Sequence, residues 1–248
     1  MKTKEEYCFK KPLRFGELYW LFGVLFVSLG VAICSKADLG VSMIAAPPFI
    51  LQEAISSLLP WSTVGTMEYL FQGFLLILLC IVVRRAKIKY LFSFVVAFLY
   101  GLVLDFWLFL LGRDTYDAVW LRGIMLIVGD CITALGVACF FRTYLPLQVY
   151  ELFVSEVSDR YGYKVAKTKL FYDLASLFLS IILAFCLNLD ANSFDWSKIY
   201  YTAYHYIGAG TVLTTVINAP IIAFFGKILT KLTGEEPMFP KLKEFFKK

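Results

Sequence analysis

Ionisable and amide side chains interrupt the apolar runs of this chain at a few places, and any chemistry has to be sought there. An ionised group at mid-bilayer costs about 2.5–3.5 kcal/mol on insertion scales, so each needs a partner, a cavity or a task. Lys36 and Asp38 close the first apolar run and are followed by Gly40, Ser42, Pro47 and Pro48. They read either as an interfacial ion pair or as the mouth of a substrate site, where the break at Pro47 exposes helix N-terminal amides that attract anions. Arg142, with Gln148 and Glu151 beyond it, is the counterpart in the second half. A Lys and an Arg beside two helix breaks point to an anionic or zwitterionic ligand.

Glu68 and Gln72 lie one helical turn apart and share a face, as do Lys169 and Asp173. Both pairs read as a polar strip along a central cavity, with an in-helix ion pair as the alternative for Lys169 and Asp173. Asp130, between Gly129 and Cys131, has no basic residue within a turn. It is the first candidate for proton coupling and Glu68 the second, a structural hydrogen bond being the alternative. The candidate substrate-binding set is thus Lys36, Asp38, Ser42, Gln72, Arg142, Gln148 and Asp173. Asp105 is expected to reach the headgroups, His205 to be an interfacial anchor beside Tyr204 and Tyr206, and Asn218 to precede a kink at Pro220.

Catalytic signatures are missing. The chain contains no GxSxG, HExxH, GxxxxGK[ST] or GxGxxG. His205 is the only histidine, so a nucleophilic mechanism would rest on it alone. The six cysteines form no CxxC pair and read as small apolar packing residues. No catalytic residue, cofactor or metal site is read from the sequence, and the protein is not expected to be an enzyme.

The elements that must position these residues follow from composition. Of 248 residues 60% are apolar and 17% charged, and the mean hydropathy is +0.72. Soluble domains run at about 45–50% and about 25%, so a membrane protein with several spans is implied. Six runs are long enough to cross about 30 Å of hydrocarbon as helices: Phe15–Cys34, Thr63–Val83, Tyr90–Leu111, Val119–Phe141, Lys169–Leu187 and Tyr200–Phe225. Two further segments, 39–60 and 145–159, carry prolines and acidic residues and read as re-entrant or interfacial helices. With six spans and both termini cytoplasmic, 20 Lys and Arg fall inside and only Lys36, Arg113, Arg122 and Lys198 outside, as the positive-inside rule requires. Eight spans, the alternative, would move the basic loop at Arg84–Lys89 to the outside. The expected location is a bacterial cytoplasmic membrane.

A repeat organises the chain. Leu29-Gly30-Val31-Ala32 recurs as Leu135-Gly136-Val137-Ala138, each with a basic residue four positions on, Lys36 and Arg142. Val64 with Phe71-Gln72 is matched by Val165 with Tyr172-Asp173. Each half reads span, short segment, span, span. Three spans is an odd number, so the second copy enters the membrane inverted, a construction common in secondary transporters.

The stretch LGVAICSKADLGVSMIAAPP over Leu29–Pro48 resembles the YczE/YitT-like family of small bacterial membrane proteins, through Leu29, Gly30, Ala32, Lys36, Ala37, Leu39, Gly40 and Ser42. The resemblance implies an integral membrane protein of two similar halves. In the second half, where many members repeat the motif, this chain reads Arg142-Thr143-Tyr144-Leu145-Pro146.

The expected fold is therefore an all-α membrane protein with six transmembrane helices, two re-entrant or interfacial helices and an inverted three-plus-three repeat. Its parts are a basic cytoplasmic N-terminus (1–14), a first repeat (15–111), an outer loop (112–118), a second repeat (119–226) and a basic amphipathic tail (227–248). The expected function is secondary transport of a small polar or anionic solute, the halves rocking about a site near Lys36, Pro47, Arg142 and Asp173. The alternative is a non-transporting scaffold or accessory subunit. Expected partners are that solute, the lipid bilayer, and a second copy or a partner membrane protein; nucleic acid is not expected.

Overall fold

The computed structural model describes residues 16–56, 58–112, 116–187, 189–190, 193–194, 205–232 and 239. Six long helices carry the apolar runs: α1 (Gly16–Ala37), α3 (Val64–Val83), α4 (Ile88–Leu110), α5 (Val119–Phe140), α7 (Val165–Leu187) and α8 (Ala209–Leu232). Their most apolar windows have mean hydropathies of 1.8 to 2.1, enough in length and composition to cross a membrane. Large apolar side chains such as Phe74, Ile81, Phe109, Phe178 and Val216 point outward, which suits lipid rather than water. The protein is a multi-pass membrane protein.

The two ambiguous segments form short helices, α2 (Ala46–Ile55) and α6 (Val149–Tyr161). At about 1.5 Å per residue neither can cross about 30 Å of hydrocarbon. Proline at the first positions of α2 starts that helix without needing its own N–H groups. Gly162, at φ 70°, ends α6 in the left-handed region. The only strand pairing among the described residues is a two-residue ladder, Leu189–Asp190 against Ser193–Phe194.

The largest interface joins α1 to α5. A side chain on Gly23 would meet Phe140, on Gly30 it would meet Thr133 and the Gly129 carbonyl, and on Gly136 it would meet Val27. Low numbers on α1 face high numbers on α5, so the two helices run antiparallel. Gly23 and Gly129, like Gly30 and Gly136, are 106 residues apart, the offset of the LGVA repeat. The approach of Gly30 to Thr133 and that of Gly136 to Val27 are therefore the same contact related by a pseudo-two-fold axis. Setting each residue opposite its own equivalent places the axis near Ser28 and Leu29 on α1, beside Ala134 and Leu135 on α5.

The other interfaces obey the same axis. Helix α2 packs on α7 and α6 on α3, so each short helix lies against the second span of the other half. Likewise α1–α4 answers α5–α8, and α2–α3 answers α6–α7. Two pairs break the pattern: α3 packs closely on α4 and α6 touches α4, whereas neither α7 with α8 nor α2 with α8 shares a comparable interface among the described residues. The apolar core follows the axis, with one cluster around Val27, Val31, Phe49, Tyr100, Leu104 and Phe140. A second, around Phe71, Leu75, Tyr150 and Tyr172, ties α6 to α3 and α7.

One span differs from the sequence expectation. The last long helix begins at Ala209 rather than Tyr200, because the chain bends at Ile207-Gly208 after a helical turn at His205-Tyr206. Gly210 there donates its N–H to the Leu39 carbonyl at 2.8 Å, and Val41 donates to the Tyr206 carbonyl at 3.3 Å. Gly40, at φ 104°, has room only for hydrogen, since a Cβ would meet the Gly208 nitrogen at 2.7 Å. The break before α2 and the break before α8 are thus laid against each other. The N-terminal segment 1–14, Cys8, Trp196 and most of the basic tail lie outside the described residues.

Candidate functional site

A cavity of about 40 Å³ sits on the pseudo-two-fold axis, room for a few waters. All six long helices and the entrances of both short ones reach it. Val27 and Val31 of α1 and Thr133 and Val137 of α5 form its axial wall. Ser42, Ile44 and Ala45 come from the stretch leading into α2, and Gln148, Tyr150 and Glu151 from the start of α6. Glu68 of α3, Tyr100 of α4, Lys169 of α7 and Asn218 of α8 complete the polar lining.

The polar groups are only partly satisfied. The Tyr150 hydroxyl donates to Glu68 Oε2 at 2.6 Å and the Gln72 amide donates to the same oxygen at 3.4 Å. Glu68 Oε1 has no partner although the residue is fully buried. Gln148 is 1% exposed, and neither its amide nitrogen nor its oxygen is hydrogen-bonded. Glu151 Oε2 and Asn218 Oδ1 are also buried without partners. Buried polar atoms are rarely left so, and here they gather round one space. Lys169 Nζ lies 3.3 Å from Asp173 Oδ1, one turn along α7, and so arrives at the cavity already engaged. Glu151 stands on α6, outside the six long helices, and burial pushes its carboxyl up to about 7 despite the counteracting charge of Lys169.

The helix entrances do not offer the free amides expected at the Pro47 break. Ala46 donates its N–H to the Ser42 carbonyl at 3.0 Å, Pro47 and Pro48 have none to give, and Phe49 donates to the Ala45 carbonyl at 3.4 Å. Every N–H of the first turn of α2 is accounted for. On α6 the first turn carries its own acid, Glu151, whose carboxylate is held by its own backbone N–H and already complements the dipole.

The expected site residues divide into three groups. Ser42, Gln148 and Glu68 line the cavity. Gln72 and Asp173 stand one turn behind it, holding Glu68 and Lys169. Lys36, Asp38, Arg142 and Asp130 are elsewhere. Asp38 is bound by Arg122 Nη2 at 2.7 Å and by His205 Nδ1, while Arg122 Nε donates to the Ala37 carbonyl at 2.8 Å. Neither the Lys36–Asp38 pair nor the anchor reading of His205 describes this cluster, which clasps the break after α1 to α5 and to the turn before α8. Lys36 is half-buried on the last turn of α1. Arg142 donates to the Gly226 carbonyl at 3.2 Å and to Thr230 Oγ1 at 2.8 Å, tying the end of α5 to α8. Asp130 borders a separate hollow between α5 and α8, among Leu126, Ile127, Leu213, Thr214 and Ile217.

Asp105 also differs from its expected place. Its carboxylate accepts from Gly65 N at 2.8 Å and from the Thr63 hydroxyl at 2.6 Å, capping the N-terminus of α3. Tyr100 and Tyr150 also line the cavity; neither is singled out by the sequence, because a tyrosine inside an apolar run carries no signal of its own.

A profile of a family of unknown function, DUF6198, matches residues 15–227. The chain is also 29% identical over 147 residues to the uncharacterized protein YyaS of Bacillus subtilis (strain 168), covering 58% of this chain and 70% of the relative. No solved structure matches it. The match spans both halves, all six long helices up to Lys227 and every residue of the cavity. The chain thus belongs to the family of unknown function DUF6198, a description other than the YczE/YitT-like one that its first motif resembles.

Proposed function

We propose that the protein is a secondary transporter of a small polar solute, held in a bacterial cytoplasmic membrane with both termini cytoplasmic, and that it works without enzymatic chemistry or a cofactor. The observation that carries the reading is the central cavity: polar groups from both halves converge there, on the axis that relates them, and several lack partners. Inverted-repeat transporters place substrate in this position and alternate access by rocking one half against the other. The close pairing of α3 with α4, against the open relation of α7 to α8, is the asymmetry such a state requires. Kinship with YczE/YitT-like proteins, carried by Leu29–Ser42, would extend the same plan to that family. An anionic solute would call on Lys36 and Arg142, neither of which lines the cavity, and Arg142 is engaged with Gly226 and Thr230.

A second reading, a scaffold or accessory subunit, is favoured by α8. That helix makes its one extensive helix interface with α5 and leaves Val212, Leu213 and Val216 exposed, a face a second copy or a membrane partner would cover. The deciding experiment is thermal stability of the purified protein against a panel of small amines, amino acids, sugars and anions, followed by uptake of any hit into proteoliposomes. Transport predicts a hit that raises Tm by mass action, is accumulated by the vesicles, and is lost in Gln148→Ala. No hit across the panel, with a stoichiometric membrane partner co-purifying, would replace transport by the scaffold reading.

A further inference from the structure

The ionisable groups at the cavity do not balance. Glu68 and Glu151 line it, Asp173 stands behind it, and the single base among them is Lys169, already 3.3 Å from Asp173. Ionised together they leave two negative charges uncompensated in a buried space, which is untenable without protonation or a counter-ion. The remaining lining side chains that carry polar atoms, Ser42, Tyr100, Thr133, Gln148, Tyr150 and Asn218, are neutral. Independently, the unpartnered atoms have one dominant sense. Glu68 Oε1, Gln148 Oε1, Glu151 Oε2 and Asn218 Oδ1 are four acceptors, from α3, the start of α6 and α8, against one unpartnered donor at the cavity, Gln148 Nε2. Gln148 and Glu68 are each at most 1% exposed, so their lone pairs have no bulk water to turn to. An anion would not find the α2 entrance amides, which are consumed or absent, and would face Glu68 and Glu151 in the same space.

We infer that the central cavity is a binding site for a monovalent cationic group, an alkali ion or the ammonium head of a small amine, held by the oxygens of Glu68, Gln148, Glu151 and Asn218. Divalent ions are a poorer match. Calcium takes about six to eight oxygens and magnesium a near-ideal octahedron, whereas four side-chain oxygens in a space of about 40 Å³ suit one small, singly charged guest. No cluster of three His, Cys, Asp or Glu able to hold a metal occurs among the described residues, so transition metals are not implied. The inference rests on the same cavity as the transport reading and assigns the charge of the species bound there.

The test is binding to the purified full chain, which needs no transport. Tm is measured at pH 8 and constant ionic strength while N-methyl-D-glucamine chloride, too bulky for the cavity, is replaced by sodium, potassium, ammonium or methylammonium chloride. At least one small cation is expected to raise Tm saturably by about 3 °C or more. Half-saturation should shift at least about tenfold in Glu68→Gln and in Glu151→Gln. Saturation by methylammonium but not sodium identifies an amine head, and the reverse an alkali ion. Calorimetric titration of the unmutated protein with the same salts keeps the test decisive if a variant fails to fold. No difference between small cations and N-methyl-D-glucamine in either measurement overturns the inference, as does a response that Glu68→Gln and Glu151→Gln both retain. Stabilisation by an anion that disappears in Lys169→Met would overturn it while leaving transport standing. Cation binding without uptake of any solute would remove transport and leave the site.

Discussion

Replacing Gly30 by Ala should destabilise the protein, although the same change at Gly123 should not. A Cβ built on Gly30 lies 2.2 Å from Thr133 Oγ1, 2.5 Å from the Gly129 carbonyl oxygen and 2.6 Å from Thr133 N. The hydroxyl can rotate away, but the other two atoms are backbone of α5. Reaching an ordinary contact of 3.4 Å from that carbonyl requires α1 and α5 to part by about 0.9 Å. A gap of 0.5–1 Å forfeits roughly a quarter to a half of a dispersion contact, and the loss spreads along the largest helix pair in the fold. Overpacking of this kind costs about 1–3 kcal/mol, offset by up to about 1 kcal/mol of helix propensity gained on leaving glycine. The net expectation is a loss of about 1–2 kcal/mol, or roughly 2–8 °C in Tm for a chain of this size. Gly123 supplies the control. It is on the same helix α5 and a Cβ there meets nothing within 4 Å, so Gly123→Ala should be neutral or stabilise by up to about 1 kcal/mol. Thermal melts of the two variants in one detergent decide the matter, and equal Tm values would refute both the antiparallel close approach and the axis drawn through it.

Breaking the clasp at Asp38 by Asp38→Asn should lower stability by about 2 kcal/mol, the scale of a partly buried charged hydrogen bond. The Arg122→Met change should add little to it, since the two side chains act as one unit; additive losses in a double-mutant cycle would refute the pairing. Asp105→Ala removes acceptors from Gly65 N and Thr63 and should cost about 1 kcal/mol, the usual scale of a lost helix cap, read by thermal melting. Burial raises Glu151 from the ordinary 4.5 to about 7, so the folded chain takes up a proton that the unfolded one does not. Stability without salt should therefore fall as pH rises from about 4.5 to about 7 and level off above, while small-cation affinity rises over the same window; Glu151→Gln should flatten both curves, and an unchanged pH profile would contradict the assignment. Spin labels at the exposed positions Leu70 and Leu102, and at Phe171 and Phe224, report on α3–α4 and α7–α8. On binding and release of a cavity ligand the first distance should lengthen as the second shortens, and movement in the same direction would refute the rocking of the halves.

The features legible in the sequence were those fixed by local periodicity and length. Apolar runs of about 20 residues located six spans, and the acidic, proline-bearing segments marked α2 and α6 as re-entrant or interfacial rather than spanning. Spacing of four placed Gln72 against Glu68 and Lys169 against Asp173, as one helical turn must. What escaped were contacts made across the fold. Arg122 and His205 are 84 and 167 residues from Asp38, and Thr230 is 88 from Arg142. Charges near a helix end look unpaired in sequence because the elements that satisfy them lie far along the chain, in the other half for Asp38 and on the last helix for Arg142. The repeat was visible at LGVA, but its extension to Gly23 and Gly129 was hidden among unlike neighbours, because only the glycines are constrained by the crossing. The start of α8 was misplaced because Tyr200–Phe225 carries no Asp, Glu, Lys or Arg to mark a break, and the break follows from the seating of Gly208 and Gly210 on Leu39 and Gly40 rather than from hydropathy.

The two halves share a scaffold and differ in chemistry at equivalent places. Glu68 and Gln72 precede Lys169 and Asp173 by 101 residues each, so the axis sets an acid facing the cavity opposite a base facing it. Each has a neighbour one turn along that holds it: an amide for the acid, a carboxylate for the base. Between the first and second spans of each half the offset falls from 106 to 101, and the five residues are absorbed in the short segments, which carry the least regular structure. The crossing of α1 and α5 tolerates no such drift, because glycine must meet backbone there on both sides of the axis. The repeat therefore preserves what both halves need in order to move against each other, a tight crossing with two short helices exchanged between them. It leaves free the positions that face the cavity, where an exactly symmetric site would place two like charges on the axis and repel its own halves. Divergence at Glu68 and Lys169 removes that repulsion, and the unpaired acid contributed by Glu151 then decides the sign of the guest.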